Sequence, residues 1–409
     1  MFLVFISGCE EYDIGEVIFK EDIDFTGSPV ITAIEPADGA DVGVRVITIH
    51  GENFISQKDS IPFVYIGAKK SLLKSISDTR IEIYRPTVYG DSLTIRLKRN
   101  DGWELGTVEN YRIDRAVEPY QEINENGLAR FYAIAMDADT NMYISSSDLI
   151  YILHPPSPAF AAETLYAETE FRALTDMKMG PGGYLYILSG DTNIYRIEPV
   201  TFTTDTFALF HYDLSKFDFD ANHNLYVGSD SGLTVVFPDG QIKAEKQGYE
   251  TGFTFQSIRV YSGFVYLAAR YNGSEASYPS AGIWRSEIIN SSGDLGDEEL
   301  YFSYSGSGDF ADGTIAGITF TNNGDMYVGV NGHPTHPIWI IHPDLSYEPL
   351  YQDTGFFNFG SDRQVNQIII GNDNYLYLLR AAPNATSDHN RIIRFGLPVE
   401  GAPYYGIVE

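Results

Sequence analysis

Aromatic, basic and amide side chains recur in several long loops between residues 117 and 409. These types suit a sugar ligand, because an aromatic ring can stack on a sugar ring while Arg, Asn and His hydrogen-bond its hydroxyl groups. Ordinary decoration of surface loops is the alternative interpretation. The candidate ligand-binding residues are Arg270, Tyr271, Tyr278, Asn331, His333, His336, Phe356, Phe357, Arg363, Arg380 and His389.

Two of these candidates could also hold a metal ion. His333 and His336 stand three residues apart within Gly-His-Pro-Thr-His-Pro. Two imidazoles at this spacing can share one ion, but a zinc site needs three or four protein ligands and no third ligand is visible. We therefore predict no metal in this loop.

Sequence signatures of common catalytic sites are absent. The chain contains no Gly-x-Ser-x-Gly, His-Glu-x-x-His, Walker loop or Rossmann fingerprint. The paired carboxylates of a glycosidase stay open as an alternative, since their spacing is spatial rather than sequential. No catalytic residue is predicted.

The charge of the chain argues against two classes of partner. Its 409 residues include 27 Lys plus Arg and 56 Asp plus Glu, for a net charge of −29. Nucleic acids and anionic lipid surfaces both require basic faces, so neither is expected as a side-chain partner. Abundant Tyr (29), Phe (25) and Gly (38) favour an all-β protein with a large core.

Residues 117–409 contain one sequence motif that is repeated six times. Each copy has an alternating strand, a turn with Gly or Asn, and a strand with Tyr between aliphatic residues; further strands follow. The six tyrosines are Tyr143, Tyr186, Tyr226, Tyr266, Tyr327 and Tyr377. Four strands per unit of about 40–50 residues predict a six-bladed β-propeller, with a β-solenoid as the rival. Trp284 and Trp339 fall in third strands and are expected to pack between blades.

This phrasing resembles the NHL-repeat and gluconolactonase-like propellers. Ring closure in such folds implies that one terminus completes a blade made by the other. Residues 118–123 resemble the fourth-strand phrase at 347–352, and we predict that they close the sixth blade; residues 404–408 are the alternative. Enzymatic members of this resemblance hold a divalent metal in the central channel, but no Glu, Asn and Asp set matches here. We therefore predict no cofactor, with a channel metal as the alternative.

Residues 28–114 contain short period-2 strands at even spacing, which predict a small Ig-like sandwich. The motifs Pro-Val-Ile-Thr-Ala-Ile-Glu-Pro, Ile-Thr-Ile-His-Gly-Glu-Asn-Phe and Ser-Asp-Thr-Arg-Ile resemble the IPT/TIG family. Gly51 and Asn53 suit a turn with positive φ, and Phe54 is expected to plug the sandwich. The resemblance implies a fold but leaves the role open, and a spacer is favoured over a ligand binder.

Ile6-Ser7-Gly8-Cys9 resembles a bacterial lipobox, with Cys9 as the lipidated residue. The alternative is a buried cysteine on an N-terminal strand. Residues 1–8 would be the remnant of a signal peptide, although a basic n-region is missing. Residues 9–27 would be an acidic tether, and the acidic cluster after Cys9 resembles the surface-export signal of Bacteroidetes lipoproteins.

The predicted order is therefore a lipid anchor, a tether, an Ig-like IPT/TIG sandwich and a six-bladed propeller at 117–409. This order resembles accessory lipoproteins of Bacteroidetes nutrient uptake, which work beside SusC/SusD-type outer-membrane transporters. The resemblance implies an outer-membrane protein facing the cell exterior that captures a ligand, with a glycan favoured. The alternatives are a metal-dependent lactonase or a lyase or hydrolase acting on sugars, and a structural subunit of the transporter complex.

Overall fold

The structure, a computed structural model, describes residues 27–55, 61–100, 104–122, 131–154, 164–244, 247–249, 252–304, 314–333, 335–358, 365–380 and 391–407. The candidates Cys9, Arg363 and His389 lie outside these residues. Within the described part of the chain, no helix is long and apolar enough to cross a membrane.

The first domain is a sandwich of two antiparallel four-stranded sheets, with strand orders β1-β2-β6-β5 and β4-β3-β7-β8. Its strands are β1 (Val30–Glu35), β2 (Val46–Glu52), β3 (Phe63–Ile66), β4 (Lys69–Lys70), β5 (Leu73–Ile76), β6 (Arg80–Tyr84), β7 (Gly90–Lys98) and β8 (Leu105–Ile113). Alternate residues of both sheets face inward and bury a continuous aliphatic core.

The turn after β2 is partly as predicted. Asn53 has a positive φ of 61°, and Phe54 is fully buried against the core. Gly51 was expected to need a positive φ, and this was wrong. It is needed for close approach, because a Cβ there would lie 1.9 Å from the Val30 carbonyl oxygen.

Six antiparallel sheets form the predicted propeller. The first three blades are built from β10 (Phe131–Met136), β11 (Met142–Ser146), β12 (Leu149–Leu153) and β13 (Thr164–Glu168); from β14 (Asp176–Met179), β15 (Leu185–Leu188), β16 (Asn193–Ile197) and β17 (Thr204–Leu209); and from β18 (Leu214–Phe219), β19 (Leu225–Ser229) and β20 (Gly232–Val236). The third blade has an isolated bridge from Val236 to Ile242 where a fourth strand would lie.

The remaining blades complete the ring. Blade four has β21 (Phe253–Tyr261), β22 (Phe264–Tyr271), β23 (Ala281–Glu287) and β24 (Glu299–Ser303); blade five has β25 (Thr314–Phe320), β26 (Met326–Asn331), β27 (Ile338–Ile341) and β28 (Tyr347–Pro349); blade six has β29 (Gln367–Ile370), β30 (Tyr375–Arg380) and β31 (Arg391–Gly396). The strand β9 (Val117–Glu122) pairs with β31 and closes blade six, which confirms the predicted closure.

The repeated tyrosines are core residues, and three of them, Tyr143, Tyr226 and Tyr377, donate their hydroxyl groups to the aspartate of a turn. All six are buried, and Tyr226 donates to the Asp220 carboxylate at 3.2 Å. The same carboxylate accepts the backbone N–H groups of Asn222 and Asn224, both at 2.8 Å. Asp220 therefore belongs to a turn, and the hydroxyl group explains why Tyr rather than Phe suits this position.

The C-terminal segment closes one end of the central channel. Arg259, which is 1% exposed, donates to the carbonyl oxygens of Ala402 at 3.1 Å and Pro403 at 2.9 Å. Its guanidinium also lies 3.7 Å from the centre of the Tyr404 ring. The alternative prediction that residues 404–408 form a closing strand was wrong, since Tyr404 packs inside the channel instead.

The two domains contact each other through the edge of blades five and six. Arg45 pairs with Glu348 at 2.5 Å. Gly43 lies so close to blade six that a Cβ would come within 2.1 Å of the Leu397 carbonyl oxygen. Buried Arg85 donates to the carbonyl oxygens of Val44 at 3.0 Å and Asp114. This one guanidinium therefore ties the turn at the interface to the segment that links the domains.

Candidate functional site

The junction between the domains encloses a cleft of about 530 Å³. This volume lies within the range of small-molecule sites, which commonly form where domains meet. One wall comes from the first domain and the other from the outer strands of blade six and the loop before it. The lining includes Arg85, Thr87, Val88, Tyr89, Asp114, Arg115, Val117, Glu118, Pro119, Gly355, Phe356, Asn358 and Ile393. We call this space the interdomain cleft.

A short 3₁₀ helix, Thr354–Phe357, forms the rim of the interdomain cleft. The Asp353 carboxylate caps it by accepting the Gly355 N–H at 3.0 Å, and it also pairs with Lys69 of the first domain at 3.2 Å. Phe356 stacks on Tyr351 with ring centres 4.1 Å apart. The rim is therefore fixed from both domains, which presents its polar groups in one arrangement.

Most charged groups of the interdomain cleft already have partners. The Arg85 guanidinium is taken by backbone carbonyl groups, Glu118 accepts from Arg394 at 2.7 Å, and Asp114 pairs with Arg112. Burial in this region lowers the pKa of Arg85, with nearby Tyr351 and Asp114 acting in the opposite direction. Because these charged groups are already paired, they do not need a charged ligand to neutralise them.

Three other side chains can address a ligand. Tyr89 is 56% exposed, a high value for an aromatic residue at a concave site. Arg115 lies over its ring at 5.3 Å, and exposed Asn358 stands on the rim. A flat ring, a planar guanidinium and an amide together offer stacking, donors and an acceptor, which is the set that a polyhydroxylated ligand requires.

Several sequence-predicted residues pack together elsewhere. Tyr271 and Tyr278 lie 5.1 Å apart, edge to face, on blade four, and both contact Phe253. Tyr278 donates to Glu298 at 3.0 Å, and burial with this bond raises the pKa of Tyr278 to about 12. These half-buried rings stabilise the blade edge rather than form an open stacking platform.

The predicted polar loop residues are also engaged locally. Arg270 donates to Thr314 of the next blade at 2.5 Å. The Asn331 amide oxygen accepts the Val365 N–H at 3.4 Å. The Nδ1 atom of His333 accepts the backbone N–H groups of Thr335 and His336. His333 therefore organises its own turn through Nδ1.

Two predicted ligand-binding residues are inaccessible. Phe357 is 0% exposed and belongs to the core shared by blades five and six. Arg380 is 1% exposed on the last residue of β30. Their burial corrects the expectation that these side chains face a ligand. Trp284 and Trp339 pack in the cores between blades, as predicted.

The central channel is a second polar site. The first strand of each blade lines the channel, and side chains on these strands hydrogen-bond the next blade. Asp176 accepts the Phe217 N–H at 3.1 Å, and Asp218 accepts the Val260 N–H at 2.7 Å. Gln367 exchanges two hydrogen bonds with the Ile134 backbone, each 2.9 Å, and joins blade six to blade one. These hydrogen bonds between blades satisfy backbone N–H groups that have no partner within their own sheet.

Channel charge does not suit a divalent metal. The cations Lys178, Lys216 and Arg259 outnumber the carboxylates Asp176 and Asp218. Both carboxylates accept backbone N–H groups, and Asp218 also pairs with Arg259 at 3.2 Å. No group of three His, Cys, Asp or Glu side chains is placed to hold a metal within the described residues.

The two channel lysines differ in their electrostatics. Burial opposes the charge of Lys178, but Asp176 and Asp218 outweigh it and raise the pKa of that lysine. Burial lowers the pKa of Lys216, and neighbouring Lys178 acts in the same direction while Asp176 opposes it. Lys216 therefore carries its charge at a cost in stability.

Apart from Phe356, the residues of the interdomain cleft were missed from the sequence, and so was Lys216. Tyr89 stands in a Pro-Thr-Val-Tyr-Gly turn, where an aromatic residue without an alternating pattern is a signal of exposure. Lys216 and Asp218 interrupt the apolar first strand of blade three, and charges there must face the channel. No local sequence pattern indicates which surfaces of the two domains contact each other.

Comparison with known proteins supports the two-domain fold. Residues 29–111 match the IPT/TIG domain family. No curated protein is similar in sequence to the chain.

Two solved structures resemble nearly the whole molecule, and both are auxiliary nutrient binding proteins. The one from Bacteroides ovatus has 13% identity and a TM-score of 0.52, and the match covers 91% of this chain and 98% of that protein. The one from Bacteroides thetaiotaomicron has 12% identity, a TM-score of 0.51 and the same coverage. A calcium-binding regucalcin from Agrobacterium tumefaciens resembles 70% of this chain over 98% of its own, with 12% identity and a TM-score of 0.52. At these identities the likeness shows the fold alone.

Proposed function

We propose that the protein captures an extracellular nutrient, a glycan, in the interdomain cleft. The observation that carries the proposal is the cleft of about 530 Å³ with the exposed Tyr89 ring on its wall. Sugar rings present apolar faces and many hydroxyl groups, and the cleft offers a ring, a guanidinium and an amide. The neighbouring fold of two auxiliary nutrient binding proteins supports this role.

The proposed site differs from the one that the sequence predicted, but the proposed ligand, a glycan, is the same. The loop face of the propeller was expected to supply the stacking rings, yet Tyr271 and Tyr278 contact each other and Phe253. Phe356, one of the predicted residues, does line the cleft.

The proposal includes a cellular setting. Lipidation of Cys9 would anchor the chain to the outer membrane, with the cleft accessible from outside the cell. A SusC/SusD-type transporter would then receive the captured glycan. Acyl-chain analysis by mass spectrometry of the protein expressed in a bacterial host that lipidates such cysteines tests the anchor, and loss of the lipid in Cys9→Ala is the expected result.

A glycan array with the recombinant chain tests the ligand class, with and without EDTA. We expect binding that EDTA does not change, and that Tyr89→Ala weakens at least tenfold because the ring stacks on the sugar. The matched control is Phe202→Ala, since Phe202 is a 46% exposed ring on blade two.

Other outcomes would contradict the proposal. Binding or turnover that EDTA abolishes would favour a metal-dependent lactonase, lyase or hydrolase. Silence on every glycan would favour a structural role in a transporter complex. Equal loss of binding in both variants would show that the cleft has no special part.

A further inference from the structure

One wall of the interdomain cleft is the free edge of a sheet. The strand β9 is the outermost strand of blade six, and no other described strand pairs with its outer side. Three consecutive residues of β9, Val117, Glu118 and Pro119, line the cleft. The unpaired backbone groups of a sheet edge can bind an extended peptide as an additional strand. Whether this edge accepts a peptide or a glycan therefore depends on the backbone groups that it presents.

The register of β9 fixes which of its backbone groups point away from blade six. The Gly396 N–H donates to the Ala116 carbonyl oxygen at 2.8 Å, so these two residues form a hydrogen-bonded pair. Opposed residues of an antiparallel ladder alternate between hydrogen-bonded and non-hydrogen-bonded pairs. Val117 and Pro119 stand one and three residues further along, in non-hydrogen-bonded pairs with β31. The backbone groups of Val117 and Pro119 therefore point toward the free edge.

Pro119 removes a donor that a peptide strand would need at this edge. Proline has no N–H group, and within sheets it occurs on edge strands with its nitrogen facing outward. The remaining outward groups are the Val117 N–H and the carbonyl oxygens of Val117 and Pro119. The register then shifts at Tyr120, and such bulges turn an edge away from further pairing. The edge is therefore too short and too poor in donors for a peptide strand, while its acceptors suit the hydroxyl groups of a sugar.

The charged residues that line the cleft balance in number. They are Arg85, Arg115, Asp114 and Glu118, two of each sign. Backbone carbonyl groups hold Arg85, and neighbouring arginines pair with both carboxylates. Arg115 is exposed, so water and salt screen its charge. The cleft therefore gives an acidic glycan no buried counter-charge, in a chain whose net charge of −29 repels polyanions.

We infer that the interdomain cleft selects uncharged oligosaccharides, whose hydroxyl groups bind the free edge of β9, and that Pro119 keeps extended peptides from this edge. The inference rests on the proposed function, because it specifies the ligand of the same cleft. Pro119 is in this role a specificity-determining residue. Its carbonyl oxygen accepts a hydroxyl group, and its missing N–H interrupts pairing with a peptide.

Titration calorimetry of the full chain against a fixed panel tests the selection of uncharged glycans. The neutral probes are cellohexaose, xylohexaose, mannohexaose, laminarihexaose and maltohexaose, and the acidic probe is hexagalacturonate. We expect at least one neutral probe to bind, and hexagalacturonate to bind at least about tenfold more weakly. The neutral affinity should change less than about twofold between about 50 and 500 mM NaCl, because salt screens only charged contacts. Tyr89→Ala should weaken it at least about tenfold, which locates the binding in the cleft.

Affinity selection from a random library of short peptides, read by mass spectrometry, tests the role of Pro119. The wild type should retain no peptide, and Pro119→Ala should retain peptides because it restores an outward N–H group. The matched control is Pro349→Ala, since Pro349 also follows a glutamate on the outer strand of its blade but lies outside the cleft. It should retain no peptide. Thermal unfolding checks that the variants fold, and Pro119→Val, which restores the same N–H with a strand-forming residue, is the second variant.

Different results would overturn different parts of the account. Hexagalacturonate binding as tight as that of the best neutral probe would contradict the selection of uncharged glycans and leave glycan capture intact. Peptides retained by the wild type, or by neither Pro119 variant, would overturn the role of Pro119. Silence on every oligosaccharide, neutral and acidic, would contradict the proposed function and this inference with it.

Discussion

At the scale of single residues, the central channel holds a fully buried ion pair and, close to it, a partly buried lysine. Arg259 and Asp218 are each 1% exposed and pair at 3.2 Å. The pair also ties three segments together, since Asp218 accepts the Val260 N–H and Arg259 reaches the C-terminal carbonyl groups. Lys216, in contrast, donates to the Thr175 carbonyl oxygen and has no ion-pair partner among the described residues.

Removing one member of the buried pair should destabilise the fold strongly. Asp218→Ala leaves Arg259 buried without its carboxylate, and we expect the free energy of unfolding to fall by about 3–5 kcal/mol. Urea denaturation measures this change. The matched control is Asp205→Ala, which breaks the exposed 3.1 Å pair with Arg196 and should cost about 0–1 kcal/mol. Equal costs for the two variants would refute the assigned role.

At the scale of elements, the propeller depends on two closures. The strand β9 completes blade six, and residues 400–407 close the channel. Deleting residues 400–409 should lower Tm by about 5 °C or more, because Arg259 loses two backbone acceptors and a ring. Differential scanning calorimetry measures the effect. Tyr404→Phe is the comparison variant: it keeps the ring over Arg259 but loses the hydrogen bond with Thr319, and it should lower Tm by less than the deletion. An unchanged Tm in the deletion would show that the segment only rests on the channel.

Elements were the most predictable part of the structure. Period-2 alternation and the recurring Tyr indicated six blades, and the phrase at 118–123 correctly indicated the closing strand. The path of the C-terminal segment was not predictable, because its contacts are with backbone carbonyl groups of no particular residue type. The predicted exposure of the loop aromatics was also wrong, because Tyr271 and Tyr278 pack on Phe253 through tertiary contacts that local sequence does not reveal.

At the scale of the whole molecule, the proposed site lies where two domains meet. Under this proposal the first domain is not only the spacer that the sequence favoured, since it supplies Tyr89 to the cleft and Lys69 to its rim. The contact of Gly43 with blade six leaves no room for a side chain. The domain arrangement thus creates a cavity that neither domain has alone.

Hydrogen–deuterium exchange with the strongest glycan from the array tests the central claim most directly. If the glycan binds in the interdomain cleft, backbone amides at 85–89, 114–118 and 355–358 should exchange more slowly in its presence, and Tyr89→Ala should abolish this protection. Protection confined to the propeller loops at 270–280 and 331–337, with the cleft segments unchanged, would contradict the account.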